Sequence, residues 1–356
     1  MEPNRYSYKE LLSTAEALLT DRGVPAETAR MIAETLAEAD LMGHSTHGLA
    51  LLPAYLRELK EEKMKASGEP RVLSDAGAAV VWDGEYLNGV YLTRLAVKAA
   101  LERSEEHPVV TFVIRRAHHI ACLAAYMPEI VEAGRIGILM ASDPSVRMVA
   151  PFGGKQPIYT PNPIAAGVPA GPGGPLILDV SMSVTAAGVV NRHKNAGTPL
   201  PNQWLLTKEG EPTDNPEALG AGGSILPLGG LDAGYKGYAL GLLVEALTSG
   251  LAGYGRPDEP TTWGTSVYLQ VVNPAFFGGG AELERQMGWL NNVCRKSTPR
   301  PGHESVRVPG DRALALKEEQ LRDGVQLSSS IVDGLEASCA EAGVAFPEPL
   351  SRGVEE

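Results

Sequence analysis

The hydrophobic period of the chain changes near residue 75, and that change restricts the fold more than any single motif does. Upstream of it, apolar residues recur at helical spacing. Ser7 followed by Glu10 has the form of a capping box at the head of YKELLSTAEALLTDRG, with Gly23 placed to end the run. Pro25 opens a second run whose Ala29, Ile32, Ala33 and Leu36 share one helical face. Leu49, Leu52, Leu56 and Leu59 mark a third, with Pro53 in its first turn or at a kink. Downstream, short β-branched stretches take over: AAVVWDG, VVTFVIR, IGILMASD, LILDVSMS and SVYLQVVNP. Helical candidates lie between them at TRLAVKAALERSEE and between His119 and Gly134. Several of these strands are joined by turns too short for a crossover helix. The expectation is therefore an α/β (α+β) chain with a mixed, mostly antiparallel sheet. GYKGYALGLLVEALTSGLAG reads as a helix buried on more than one side, and further helices are expected at 281–295 and 328–342.

At 356 residues the chain suits about two domains. A net charge of −12, with no Lys/Arg cluster to offset it, argues against nucleic-acid binding. No apolar run reaches the ~20 residues needed to cross a bilayer, and no secretory signal is expected from MEPNRYSYKE. Cys122, Cys294 and Cys339 are odd in number and far apart, which suits a reducing compartment and a cytoplasmic location better than a disulfide framework.

Three places carry candidate chemistry. GHSTHG, residues 43–48, sets His44 and His47 three apart. Metal binding there would need a third ligand that the local sequence does not supply. One of the two histidines could instead pass a proton near neutral pH, or Ser45 or Thr46 could simply cap a helix between two surface histidines. His118 and His119 close a strand; adjacent side chains diverge, so at most one is expected to face a site. Asp179 ends the strand PLILD, where a carboxylate is costly unless paired, either with a catalytic histidine or as a helix cap. The glycine-rich loops match neither G-x-G-x-x-G after a first strand nor a P-loop, and no G-x-S-x-G elbow is present. The residues by themselves point to a two-domain α/β enzyme with a histidine–carboxylate site.

At GHSTHGLALLPAYL the sequence resembles the malate/L-lactate dehydrogenase family of oxidoreductases, which lack a Rossmann fold and include ureidoglycolate, sulfolactate, diketogulonate and piperideine/pyrroline-2-carboxylate enzymes. The match continues through RRAHHIA, VAPFGGK, NPIAAGVP, ILDVSMSV, GYKGYALGLLVEAL and RVPGD, in order along nearly the whole chain. The resemblance implies a homodimer. In each subunit a helical domain from both chain ends (1–75 with 281–356) would flank an NAD(P)-binding and catalytic domain (76–280). It implies His47 as proton donor, with Asp179 and His119 as the other catalytic groups, and Tyr55 and Thr46 at the substrate. For the cofactor it implies Ser142, the stretch Val180, Ser181, Met182 and Ser183, Tyr235 with Lys236, and the turn Gly310, Asp311 and Arg312; no metal is implied.

The implied reaction interconverts a small 2-keto acid and its 2-hydroxy acid with NAD or NADP. The alternative is reduction of a cyclic 2-imino acid. A metal-dependent hydrolase built on His44, His47 and His118 or His119 is the rival outside the dehydrogenases, and an idle binding protein is a third reading. Two positions depart from the family pattern. Several members carry an arginine for the substrate carboxylate where this chain has Leu51, and Arg147 is the candidate replacement. TPNP at 160–163 puts Pro161 where a threonine is usual, removing a hydroxyl and a backbone donor.

Overall fold

A computed structural model describes residues 4–350. In chain order its elements begin β1 (Asn4–Tyr6), α1 (Tyr8–Asp21), α2 (Ala26–Leu41) and α3 (Leu52–Lys60). They continue through β2 (Arg71–Asp75), β3 (Ala79–Asp83), α4 (Gly89–Arg103), β4 (Val109–Ala117), α5 (Met127–Glu132), β5 (Ile136–Ser142), β6 (Ile164–Val168) and β7 (Leu176–Val180). Then come α6 (Ala187–Asn195), β8 (Leu205–Leu206), β9 (Pro212–Thr213), α7 (Glu217–Gly220), β10 (Ser224–Ile225), α8 (Gly230–Glu245) and β11 (Thr265–Val272). The chain closes with α9 (Gly280–Arg295), α10 (Asp311–Asp323), β12 (Val325–Leu327) and α11 (Ser329–Ala342).

Seven strands form one sheet in the order β2-β3-β4-β11-β5-β6-β7. Only the β3–β4 pair is parallel; the other five pairs are antiparallel. The sheet is therefore mixed and mostly antiparallel, and it is not a doubly wound Rossmann sheet. Its apolar side chains alternate between two cores, as a strand's two-residue period requires. Phe112, Ile114, Leu139, Val267, Leu269 and Val271 face the side covered by α4 and α5. Val113, Met140 and Tyr268 face the side where Val244 of α8 and Ala252 pack.

The helices at the two chain ends share another core. Leu11, Leu18 and Leu19 of α1, Ile32 and Leu36 of α2, and Leu52 and Leu56 of α3 pack with Val325, Leu327, Leu335 and Cys339. β1 pairs with β12, tying the ends directly together. Ser7 accepts from the Glu10 N–H at 3.4 Å at the head of α1, and Pro53 lies in the first turn of α3. Two local features differ from the sequence reading. Arg71–Asp75, ahead of the change in period, is already an edge strand of the seven-stranded sheet. Helix α8 is not buried on more than one side. Its inner face is Gly234, Gly237, Gly241 and Val244, while Leu231, Leu240, Leu242 and Leu243 are 41–48% exposed.

Candidate active site

Helix α2 ends at Leu41, and the GHSTHG loop turns over its buried carboxylate Asp40. Asp40 Oδ2 accepts the Leu49 N–H at 2.6 Å. A Cβ at position 48 would land on that carboxyl group, so only glycine lets the loop close over Asp40. The closure presents His47. Thr46 Oγ1 and His47 Nδ1 are 2.8 Å apart, which leaves Nε2 as the ring nitrogen available for proton exchange. Gly188 of α6 packs on Thr46 from outside, where a Cβ would sit 3.2 Å from the threonine. Burial lowers the His47 pKa, the Asp179 charge opposes that shift, and His44 adds to it.

His119 stacks toward His47 with ring centroids 5.9 Å apart. The Ala121 N–H donates to His119 Nδ1 at 3.2 Å, and the Tyr55 hydroxyl lies 2.9 Å from the same nitrogen. An Nδ1 that accepts from a backbone N–H places the imidazole proton on Nε2. Burial, with His47 and His118 as neighbours, pushes the His119 pKa well below the usual range, so this ring works as a neutral Nε2–H donor. Tyr55, which the family resemblance implies at the substrate, is fully buried, with its hydroxyl within hydrogen-bond reach of His119 Nδ1 (2.9 Å) and the His119 carbonyl (3.2 Å), where it is placed to orient that histidine. His118 points away into the interior, 3.4 Å from Glu58, and burial lowers its pKa to about 3. Trp263 closes the group, with its ring 4.9 Å from His119 and 4.8 Å from His118.

Asp179 stands at the end of β7, and its Oδ2 accepts the Ala124 N–H at 2.9 Å. It therefore caps the turn Leu123–Tyr126 from a distant segment, not the helix that follows it, and it reaches His47 through its field. Beside it runs a cleft of about 580 Å³ lined by His44, Asp179, Val180, Arg307, Gly310 and Arg312, among others. Arg307 and Arg312 are exposed and have no ion pair among the described residues. Gly310 has φ +102°, and a Cβ there would meet the Ile177 backbone at 3.0 Å. A cleft with two exposed guanidinium groups and a close backbone turn suits a ligand that carries phosphates, such as a dinucleotide.

The remaining predicted cofactor residues are placed less uniformly. Ser181 donates to the Ser183 carbonyl, Ser183 to the Thr185 carbonyl, and Met182 is buried in the core beneath the sheet. Asp311 is taken up by Arg295 and the Val308 N–H. Ser142 is buried, with its hydroxyl 2.7 Å from Thr248 and 3.1 Å from Ser249, so a cofactor could meet only its backbone. Tyr235 and Lys236 are exposed on α8. Arg147 is exposed, and among the described residues no hydrogen bond or ion pair holds it. The metal-hydrolase trio does not assemble. Among the described residues, the side chains whose ligating atoms converge are His44, Cys122 and Asp179, without His47, His118 or His119.

Asp40, Trp263 and Cys122 belong to this neighbourhood and do not stand out in the sequence as site residues. The one local signal is Asp40, which falls one turn after Leu36 on the apolar face of the second run.

Two facing imidazoles beside a cleft lined by two arginines, on a mixed sheet that is not doubly wound, suit an NAD(P)-dependent oxidoreductase outside the Rossmann class. The chain belongs to the malate/L-lactate dehydrogenase family, whose description matches residues 6–336. It is 33% identical to the (2R)-3-sulfolactate dehydrogenase (NADP(+)) of Chromohalobacter salexigens, over 93% of this chain and 97% of that one. It is 30% identical to the delta(1)-pyrroline-2-carboxylate/delta(1)-piperideine-2-carboxylate reductase of Pseudomonas syringae pv. tomato, over 93% and 95%. Its fold superposes on malate dehydrogenase from Entamoeba histolytica with a TM-score of 0.91 at 22% identity, covering 97% and 100% of the two chains.

Proposed function

We propose that the protein interconverts a small 2-keto acid and its 2-hydroxy acid, with His47 as the proton donor. The observation that carries this reading is the His47–His119 pair: one ring open at Nε2 and near a carboxylate, the other held neutral with its proton on Nε2. NAD or NADP, when bound, supplies or accepts the hydride. His44, Asp179, Val180, Arg307, Gly310 and Arg312 are the residues that would hold it. For the reduction, the His119 Nε2–H donates a hydrogen bond to the carbonyl oxygen, and His47 gives up a proton from Nε2 as that oxygen becomes a hydroxyl. The Asp179 charge favours the protonated form of His47 ahead of that step, and the Trp263 ring packs on His119. Arg147 is our candidate for the substrate carboxylate.

A second reading has one observation in its favour. Leu51, where the family resemblance implies an arginine, packs into the same apolar cluster as Trp263. An apolar wall there suits a ring, and a relative at 30% identity is named for reducing cyclic imines. The support for two domains, 1–75 with 281–356 and 76–280, is the shared core of the chain-end helices. A second copy of the chain and a cytoplasmic setting complete the proposal; no helix among the described residues is long and apolar enough to cross a membrane.

The test is oxidation of NADH and NADPH by chelator-treated protein with pyruvate, oxaloacetate, other small 2-keto acids and the two cyclic imines. Turnover of a keto acid supports the first reading, and turnover of the imines alone replaces it with the second. Folded protein that is silent on every acceptor with both cofactors sinks both.

A further inference from the structure

We propose that His44, Cys122 and Asp179 form a three-donor site for Zn²⁺, and that a zinc ion held there closes the dinucleotide cleft. The three side chains come from the loop after α2, the segment between β4 and α5, and the end of β7. An imidazole nitrogen, a sulfur and a carboxylate oxygen from these elements all lie within 4.8 Å of one another. Donors ~2.0–2.3 Å from a common tetrahedral ion sit roughly 3.3–3.8 Å apart. Cys122 Sγ is already 3.6 Å from Asp179 Oδ2. Ala121, at φ +58°, bends the chain just ahead of the cysteine. The thiol is in no disulfide.

The donor set selects the metal. Magnesium and calcium prefer oxygen ligands throughout, whereas thiolate, imidazole and carboxylate together with an open fourth position suit zinc. His44 and Asp179 line the cleft and Cys122 lies behind them, so the ion enters from the cleft and its fourth position opens into it. On binding, the thiol proton leaves to solvent and a Zn–S bond takes its place. One loss follows for a dehydrogenase: the ion occupies the wall along Asp179 and Val180 where the dinucleotide would lie. This inhibitory consequence rests on the dehydrogenase reading; zinc binding itself does not.

The experiment uses the full-length, chelator-treated protein. Zn²⁺ is titrated against a chromophoric zinc indicator, and Co²⁺ serves as a spectroscopic stand-in. One ion per chain and a thiolate-to-cobalt charge-transfer band are expected. Cys122→Ser, which keeps a hydroxyl beside Asp179, should weaken binding at least tenfold and abolish the band, and His44→Asn should weaken it similarly. Cys294→Ser should change neither. NADPH binding, followed by fluorescence, should weaken at least tenfold at saturating zinc in the unmodified chain and not in Cys122→Ser. No stoichiometric binding, no thiolate band, or binding indifferent to Cys122→Ser overturns the site. Stoichiometric zinc with unchanged NADPH affinity overturns the closure. A protein that binds zinc but never NADPH keeps the site and refutes the dehydrogenase reading instead.

Discussion

At the scale of single residues, the candidate site is shaped by a carboxyl group buried beneath its loop. Asp40 is buried, its pKa is raised to about 7 by that burial, and its one contact from the loop is the Leu49 N–H. Asp40→Ala frees the loop carrying His47, and we expect kcat to fall about 10- to 100-fold with the dinucleotide Kd nearly unchanged, because a displacement of ~1 Å at a reacting group costs that much. Steady-state kinetics and a binding titration check both halves. The sign of the pH effect on stability follows from the raised pKa. An unfolded aspartate titrates near ~3.9, so between about pH 4 and 7 folding takes up a proton and ionising Asp40 costs stability as the pH rises. His118 opposes this, since its pKa of about 3 makes stability grow with pH between about 3 and 6.5. The difference in urea midpoint between Asp40→Asn and the unmodified chain isolates the first effect and should shift in favour of the variant as the pH rises from 4 to 7. His47→Asn carries the catalytic claim: a loss of ~10²–10⁴ in kcat is expected for a general acid, and near-full kcat would remove His47 from the mechanism. The motif makes His47, His119 and Asp179 legible in the sequence. Trp263, Cys122 and the buried role of Tyr55 are not, because each depends on segments far apart in the chain.

At the scale of elements, legibility follows burial. Strands β3, β4, β5 and β11 stand out because strands inside a two-faced sheet are densely apolar and β-branched, and the edge strand β7 stands out only through its short run Leu176–Leu178. The small sheet β10-β8-β9 does not, since its strands are two residues long and have no period to detect. Helix α10 hides behind its charges, yet Gln320 on it donates to the carbonyls of Asp40 and Leu41 and so fastens the end of α2 beneath the loop that carries His47. Helix α8 misleads for a different reason. Its composition is apolar all round, but the face against the body is the glycine face. A Cβ at Gly237 would meet the Leu228 backbone at 2.5 Å, and one at Gly241 would meet Tyr159 at 2.9 Å. Close approach excludes side chains there and turns the leucines outward. Gly237→Ala should therefore destabilise the fold by ~1–3 kcal/mol despite alanine's better helix propensity, because backbone cannot yield as a flexible side chain does. Urea unfolding checks it, and a more stable variant would mean the helix can shift outward freely.

At the scale of the whole molecule, the outward leucines of α8 need a cover. Leu231, Tyr235, Leu240, Leu242 and Leu243 are each 41–52% exposed, and Leu251 just beyond them is 56% exposed. Scattered apolar residues are normal on a surface, but four exposed leucines and a tyrosine spread over the outward half of one helix mark an association face. The occupant we propose is a second copy of the chain. In a two-fold dimer the same patch serves both subunits, so the outward leucines can bury themselves against their own symmetry mates. The double variant Leu240→Glu with Leu243→Glu would place four carboxylates at such an interface, two from each subunit. The cost of desolvating them would exceed what burial of the remaining apolar row contributes. Sedimentation velocity at micromolar concentration should show a dimer for the unmodified chain and a monomer for the double variant, with helical circular dichroism retained in both. A dimer that survives both charges would place the interface elsewhere. A monomeric unmodified chain would leave the leucine row without the partner proposed for it.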